Sequence, residues 1–192
     1  MTAFNIEPFT HTGAITTYSM SDETELYGGW TPGWDTGFDH LHRGNRFLGS
    51  FSTLLWDNVT LAYISTAGEP GWRGNGYSHS NVLDFAVTDK LNYVPQNDMV
   101  RTNGHDGNPA TFGGDDDFGI NQYLICQIND TCAVGTRVEW WRNEGISQYA
   151  VSFGVNIRPK DNLVFRPEIR HDWDAPVVGS NTSVGMDAIL TY

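Results

Sequence analysis

Three carboxylates, Glu139, Glu168 and Asp172, are the residues in this chain that most invite a chemical reading. A glycoside hydrolase needs two carboxyl groups roughly 5–10 Å apart, one acid and one base or nucleophile. Here each carboxylate stands beside arginine in an alternating row, with Arg137 before Glu139, Arg166 and Arg170 around Glu168, and Arg170 before Asp172. Salt-bridged ladders on one strand face explain that pattern without catalysis. The remaining candidates are thinner. Asp39, His40 and His42 in DHLHRGN are metal-ligand types, but a metal site needs convergent groups on a rigid element, and a glycine-flanked loop reads as a solvated tip. Asp115–Asp117 in GGDDD lacks the spaced oxygen ligands of a calcium loop. GWRGNGYS has close glycines but no phosphate-loop lysine and no helix after it. No serine elbow, HExxH or Cys–His nucleophile pattern occurs. The sequence thus offers no catalytic residue, no metal site and no cofactor.

What positions those charges is a strand. In NLVFRPEIRHDW (162–173), alternate residues divide into Leu163, Phe165, Pro167, Ile169, His171 and Trp173 against Val164, Arg166, Glu168, Arg170 and Asp172. Successive strand side chains point to opposite faces, so one face is mostly apolar and the other carries four charges. The same division recurs. Val134, Thr136, Val138 and Trp140 oppose Arg137, Glu139 and Trp141; Tyr149, Val151, Phe153, Val155 and Ile157 oppose Ala150, Ser152, Gly154, Asn156 and Arg158. In the last strand Val184, Met186, Ala188, Leu190 and Tyr192 oppose Gly185, Asp187 and Thr191, with Ile189 the exception.

A short turn repeats along the chain, at Asp22, Asp57, Asp89, Asp130 and Asp161, each followed by a fresh alternating run. Asp and Asn favour tight turns because their side chains bond nearby backbone. Longer polar, glycine-rich connections lie between, at 35–44, 71–75, 104–117, 143–147 and 175–183. Short and long connections alternate strictly, as they do at the two ends of an up-and-down sheet; soluble sandwiches make Greek-key crossings instead. The predicted strands are 13–20, 24–34, 45–56, 59–69, 76–88, 91–103, 118–129, 132–142, 148–158, 163–173 and 184–192. Most are long enough to cross a membrane at a tilt, which takes ~9–11 residues, whereas soluble strands cluster near ~5–6. Pro95 and Pro167 each remove a ladder bond and predict bulges or local breaks.

The formal net charge is −12. It makes nucleic acid a poor partner, and no basic block suits anionic lipid headgroups. No apolar run approaches the ~18 residues of a membrane helix, but a membrane barrel needs none. The first residues, MTAFNIEPFTHTG, carry no export signal. Cys126 and Cys132 flank QINDT, which is not a zinc or redox spacing. Either they face each other across the turn as a disulfide or they are two unpaired small residues. Trp30, Trp34, Trp56, Trp140, Trp173 and Tyr192 sit near strand ends, where interfacial aromatic girdles form, though sugar platforms use tryptophan too.

These residues expect an all-β, antiparallel up-and-down meander of about 11 long strands, a transmembrane β-barrel or an incomplete, open, curved one. GINQYLICQIND (Gly119–Asp130), EWWRNE (Glu139–Glu144) and GVNIRPKDNLVFRPEIRHDW (Gly154–Trp173) resemble the OmpL-like β-barrel porins of Gram-negative bacteria, as do PFTHTGAITTY and LYGGWTPGWD. The resemblance spans nearly the whole chain and is most specific over 119–173. It implies an outer-membrane channel with no catalytic or ligand residues to carry over. Its members are longer and start with an export signal, so residues 1–12 read as a polar tail and 13–192 as a barrel domain, the C-terminal part of a longer barrel. An odd strand count points the same way, since single-chain bacterial barrels have an even number.

The expected function is passive diffusion of small polar solutes or ions across the outer membrane. Expected pore-lining residues are Arg137, Glu139, Arg158, Arg166, Glu168, Arg170 and Asp172. Expected lipid-facing residues are Val151, Phe153, Val155, Phe165, Ile169, Met186 and Leu190. The alternative is a soluble all-β carbohydrate-binding or glycoside-hydrolysing domain. Solute identity, pore width and oligomeric state do not follow from the residues.

Overall fold

The structure is a computed structural model that describes residues 10–37, 44–71, 74–103, 116–143, 145–175 and 179–191. Its strands are β1 (Ala14–Ser19), β2 (Thr24–Thr31), β3 (Asn45–Trp56), β4 (Val59–Glu69), β5 (Gly76–Thr88), β6 (Leu91–Thr102), β7 (Asp116–Asn129), β8 (Cys132–Asn143), β9 (Ile146–Lys160), β10 (Leu163–Ala175) and β11 (Ser180–Leu190). They form one sheet in sequence order, every neighbouring pair antiparallel. This is the meander expected from the alternation of turns, with no crossover. β1 and β11 are the two edges of the sheet, do not pair with each other and run in the same direction.

Four of the short connections are two residues long, at 57–58, 89–90, 130–131 and 161–162. A register shift lies beside each, at Leu54/Trp56, Ala86/Thr88, Gln127/Asn129 and Leu163/Phe165. Bulges at barrel rims bend the strand and increase its twist. The side chain that pins the turn is not always the aspartate that marks it. Ser21 Oγ accepts from Glu23 N, Thr88 Oγ1 from Lys90 N and Leu91 N, and Asn129 Oδ1 from Thr131 N. Three of the five turns are thus held by the residue just before the aspartate.

The two strand prolines act as expected. β5–β6 rungs run to Val82↔Gln96 and resume at Phe85↔Tyr93, omitting the rung opposite Pro95. β9–β10 rungs omit the stretch opposite Pro167 between Phe165↔Ile157 and Glu168↔Gly154. Both prolines are paired on their other side, Pro95↔Gln122 and Pro167↔Met186, so each break is one-sided and the register survives it.

Burial is inverted relative to a soluble sheet. Most fully buried side chains among the described residues are polar or charged, including Arg46, Asp98, Asp117, Asn121, Glu139 and Arg170. Large apolar side chains stand exposed, among them Val138, Val151, Phe153, Ile169, Val184, Met186 and Leu190. The registers put all seven on one face of β8–β11 and the buried charges on the other. That second face is the inner one. Side chains meet across an intervening strand only there, and two strand spacings are ~9.6 Å, so the sheet curves toward it.

Candidate functional site: the inner wall

The inner row of β9 is Ala150, Ser152 and Gly154. Glu139 and Asp172 flank Ala150 in register, and Arg137 and Arg170 flank Ser152. Small side chains on the middle strand let long ones from β8 and β10 reach over it. Arg170 crosses to Glu139, with Nη1 2.6 Å from Oε1 and Nη2 3.3 Å from Oε2. Arg170 Nε also donates to Asp172 Oδ1 at 2.8 Å. Arg137 Nε donates to Glu139, its Nη2 donates to Ser152 Oγ at 3.2 Å, and the same Nη2 stands 3.8 Å from Glu168. The Glu139 carboxylate is 0% exposed and is held by both arginines. A buried charge persists only where it is paired and hydrogen-bonded, which is the case here.

Of the seven residues expected to share this face, Arg137, Glu139, Glu168, Arg170 and Asp172 form that network. Arg166 lies on the same face but pairs elsewhere, donating from Nε to Asp187 Oδ1 at 2.8 Å in a fork across β10–β11. Arg158 departs from the group. It lies past the last β8–β9 rung, beside the turn at 161–162, and is exposed. Gly135, Gly154 and Gly185 stand along a groove lined by Arg137, Arg166, Glu168 and Asp187.

A second polar cluster was not singled out from the sequence. Asp98 of β6 accepts from Ser80 Oγ at 2.6 Å, from Gln96 Nε2 at 2.9 and 3.0 Å and from Asn121 Nδ2 at 3.1 Å, joining β5, β6 and β7. Its signal was present: Ser78 and Ser80 of β5, Gln96 and Asp98 of β6, and Asn121 of β7 keep polar alternation on the parity that faces inward. Arg46 of β3 is a third. It donates from Nε to Thr66 Oγ1 at 2.8 Å and from Nη1 to the Gly68 carbonyl at 3.3 Å.

The outer face holds all seven residues expected to be apolar and outward: Val151, Phe153, Val155, Phe165, Ile169, Met186 and Leu190. It also carries Trp30 beside Phe47, Trp140 edge-on to Phe118, and Trp173 stacked on Tyr149 at 5.6 Å, near the long-connection end. Trp56 lies at the short-turn end. From Phe47 to Trp56 is nine residues, roughly 30 Å along a strand. Two expectations need correction. Trp34 is not an outward aromatic: Gly33, at φ 127°, re-aims the chain after β2, and the indole is 1% exposed in a cluster with Val100 and Trp141. Cys126 and Cys132 are both free; Cys126 stands opposite Val134 and Cys132 opposite Ile157, so the turn does not bring them face to face.

Tyr192, Asp39, His40, His42 and Asp115 lie outside the described residues. Among the described residues no group of three His, Cys, Asp or Glu side chains is placed to hold a metal.

No curated protein matches the chain at a significant level. Among solved structures, the chain is similar to the outer membrane channel DcaP of Acinetobacter baumannii, with a TM-score of 0.68 at 10% sequence identity, covering 94% of this chain and 62% of that one. The chain thus spans less than two thirds of that channel's length, and the likeness is one of fold. The family model described as "Putative beta-barrel porin-2, OmpL-like" matches residues 2–191. With that match along nearly its whole length, the chain belongs to the OmpL-like β-barrel porin-2 family.

Proposed function

We propose that this chain forms the wall of an outer-membrane channel through which small polar solutes or ions diffuse passively. The observation that carries the reading is the inverted sheet: a hydrogen-bonded charge network buried on the inner face, backed by exposed apolar side chains on the outer one. In hydrocarbon, backbone groups must be satisfied within the sheet, and an apolar exterior replaces water contact with lipid contact. Val151, Phe153, Val155, Phe165, Ile169, Met186 and Leu190 face lipid in this reading. Trp30, Trp56, Trp140 and Trp173 supply the interfacial aromatics. Arg137, Glu139, Arg166, Glu168, Arg170 and Asp172 line the lumen with mixed charge, so this part of the wall has weak ion preference. The family and the similar channel support placement in the Gram-negative outer membrane. Further strands between β1 and β11 complete the barrel, because antiparallel closure joins strands that run in opposite directions.

The carboxylates considered for glycoside hydrolysis are engaged by arginine, and Glu139 is shut away from solvent. The test is reconstitution of the full-length protein into planar bilayers and sugar-loaded vesicles. Stepwise conductance and entry of small sugars are expected. A folded, inserted protein that passes neither would refute the reading.

A further inference from the structure

The segment between β2 and β3 lies on the inner face rather than continuing the wall. Trp34 donates its backbone N–H to the Pro70 carbonyl at 2.9 Å, which ties it to the end of β4. Asp35 N donates to the Thr10 carbonyl at 3.2 Å, Thr10 N donates back to Asp35 Oδ1 at 2.9 Å, and His11 bridges Trp34, so the chain before β1 holds the other side. Asp35 takes a left-handed φ of 52°, sparse for a non-glycine residue but tolerated by aspartate. Gly33 has no room for a side chain: a Cβ there would meet the Pro70 carbonyl oxygen at 2.7 Å.

The indole so aimed does not stay with its own strands. Its ring sits over the Arg46 guanidinium of β3, 4.5 Å from carbon to centroid, and it clusters with Val100 of β6 and Trp141 of β8. From β3 to β8 is five strand steps, about 24 Å along the sheet. One side chain serves all three only by standing on the chord of the curve. The wall beneath is cut away to admit it, with glycine at Gly68 of β4 and Gly76 of β5, opposite each other in register. Pro32, Thr36 and Pro70 are buried around it.

We infer that this segment constricts the passage at its long-connection end, and that Trp34, stacked on Arg46 and packed on Val100 and Trp141, sets the size limit for solutes. The inference rests on the channel reading. It leaves the route past the constriction along β9–β11, where Ser152, Gly154 and Gly185 keep the wall low and Arg166 and Asp187 present the exposed charge.

The test uses the full-length protein in planar bilayers and in vesicles loaded with sugars of graded size. Trp34→Ala should raise single-channel conductance on the order of twofold and admit larger sugars, since pore radius is set by the lining side chains. Trp34→Leu, which keeps the cluster apolar, should give a smaller rise, and Val138→Ala on the outer face none. Folded Trp34→Ala and Trp34→Leu proteins with unchanged conductance and size limit would overturn the inference. A second readout is independent of transport. In a Cys126→Ser, Cys132→Ser background, the Trp34→Cys, Val100→Cys pair should crosslink with a short bis-maleimide in intact membranes, and the Trp34→Cys, Val138→Cys pair should not. Failure of the first pair to crosslink overturns the inward placement even if wild-type conductance stands. A wild type without conductance but with the crosslink sinks the channel reading and leaves the inward placement upheld.

Discussion

Replacing Glu139 with glutamine keeps the shape of the side chain and removes its charge, and the geometry sets what that costs. Glu139 accepts from Arg137 Nε and from both terminal nitrogens of Arg170, and it is shut off from solvent. A glutamine amide keeps one acceptor oxygen and turns an N–H₂ toward a guanidinium that has only donors to offer. Removing one partner of a buried ion pair costs ~3–5 kcal/mol, because the other charge stays behind unpaired. The arginines are not fully stranded, since Arg137 keeps Ser152 and Glu168 while Arg170 keeps Asp172. The lower end of the range therefore applies, about 3 kcal/mol. Urea unfolding of the full-length protein in lipid vesicles, followed by tryptophan fluorescence, measures it. A double-mutant cycle with Arg170→Met should return a coupling of about 1 kcal/mol or more, because the two side chains share one network. A Glu139→Gln loss below about 0.5 kcal/mol would mean the network behaves as a solvated surface pair, and the reasoning from burial would fail.

Three further outcomes are expected. Val155→Arg on the outer face should cost about 2–4 kcal/mol if the position is near the bilayer midplane, and an unshifted urea midpoint in vesicles would place Val155 away from lipid. Arg166→Asp should shift the reversal potential toward cation preference by setting a carboxylate beside Asp187, and the swapped pair Arg166→Asp, Asp187→Arg should restore it; a swap that restores nothing would mean the fork does not face the ion path. Maleimide labelling after denaturation without reductant should find two thiols per chain, Cys126 and Cys132, and fewer would reveal a bond the register disfavours.

Strand parity made much of this architecture readable in advance. Turn position and strand length follow from aspartate-marked turns and two-residue alternation, so the strands land within a few residues of their predicted ends. The charge network was legible as a set, because residues of like parity in paired strands must share a face. Its partners were not. Arg166 pairs with Asp187 rather than with Glu168, which depends on the β10–β11 register. Trp34 was misplaced for a local reason: proximity to a strand end suggests an interface, but a glycine at positive φ reverses the face and no hydropathy pattern records it. Asp98 was missed because its donors, Ser80, Gln96 and Asn121, are uncharged and so draw less notice than an arginine row.

The small inner row of β9 has a consequence for how this part of the sheet assembles. Because Arg170 fastens to Glu139 over the top of Ala150, the β9–β10 hairpin cannot complete its side-chain bonds until β8 is in register on its far side. Three strands then lock together in one cooperative step, and their amides should exchange with solvent as a single protected block. The fastening has no slack: Ala150→Leu would sever it without altering any charge, uncoupling β8 from β10 while every backbone rung between them remained available.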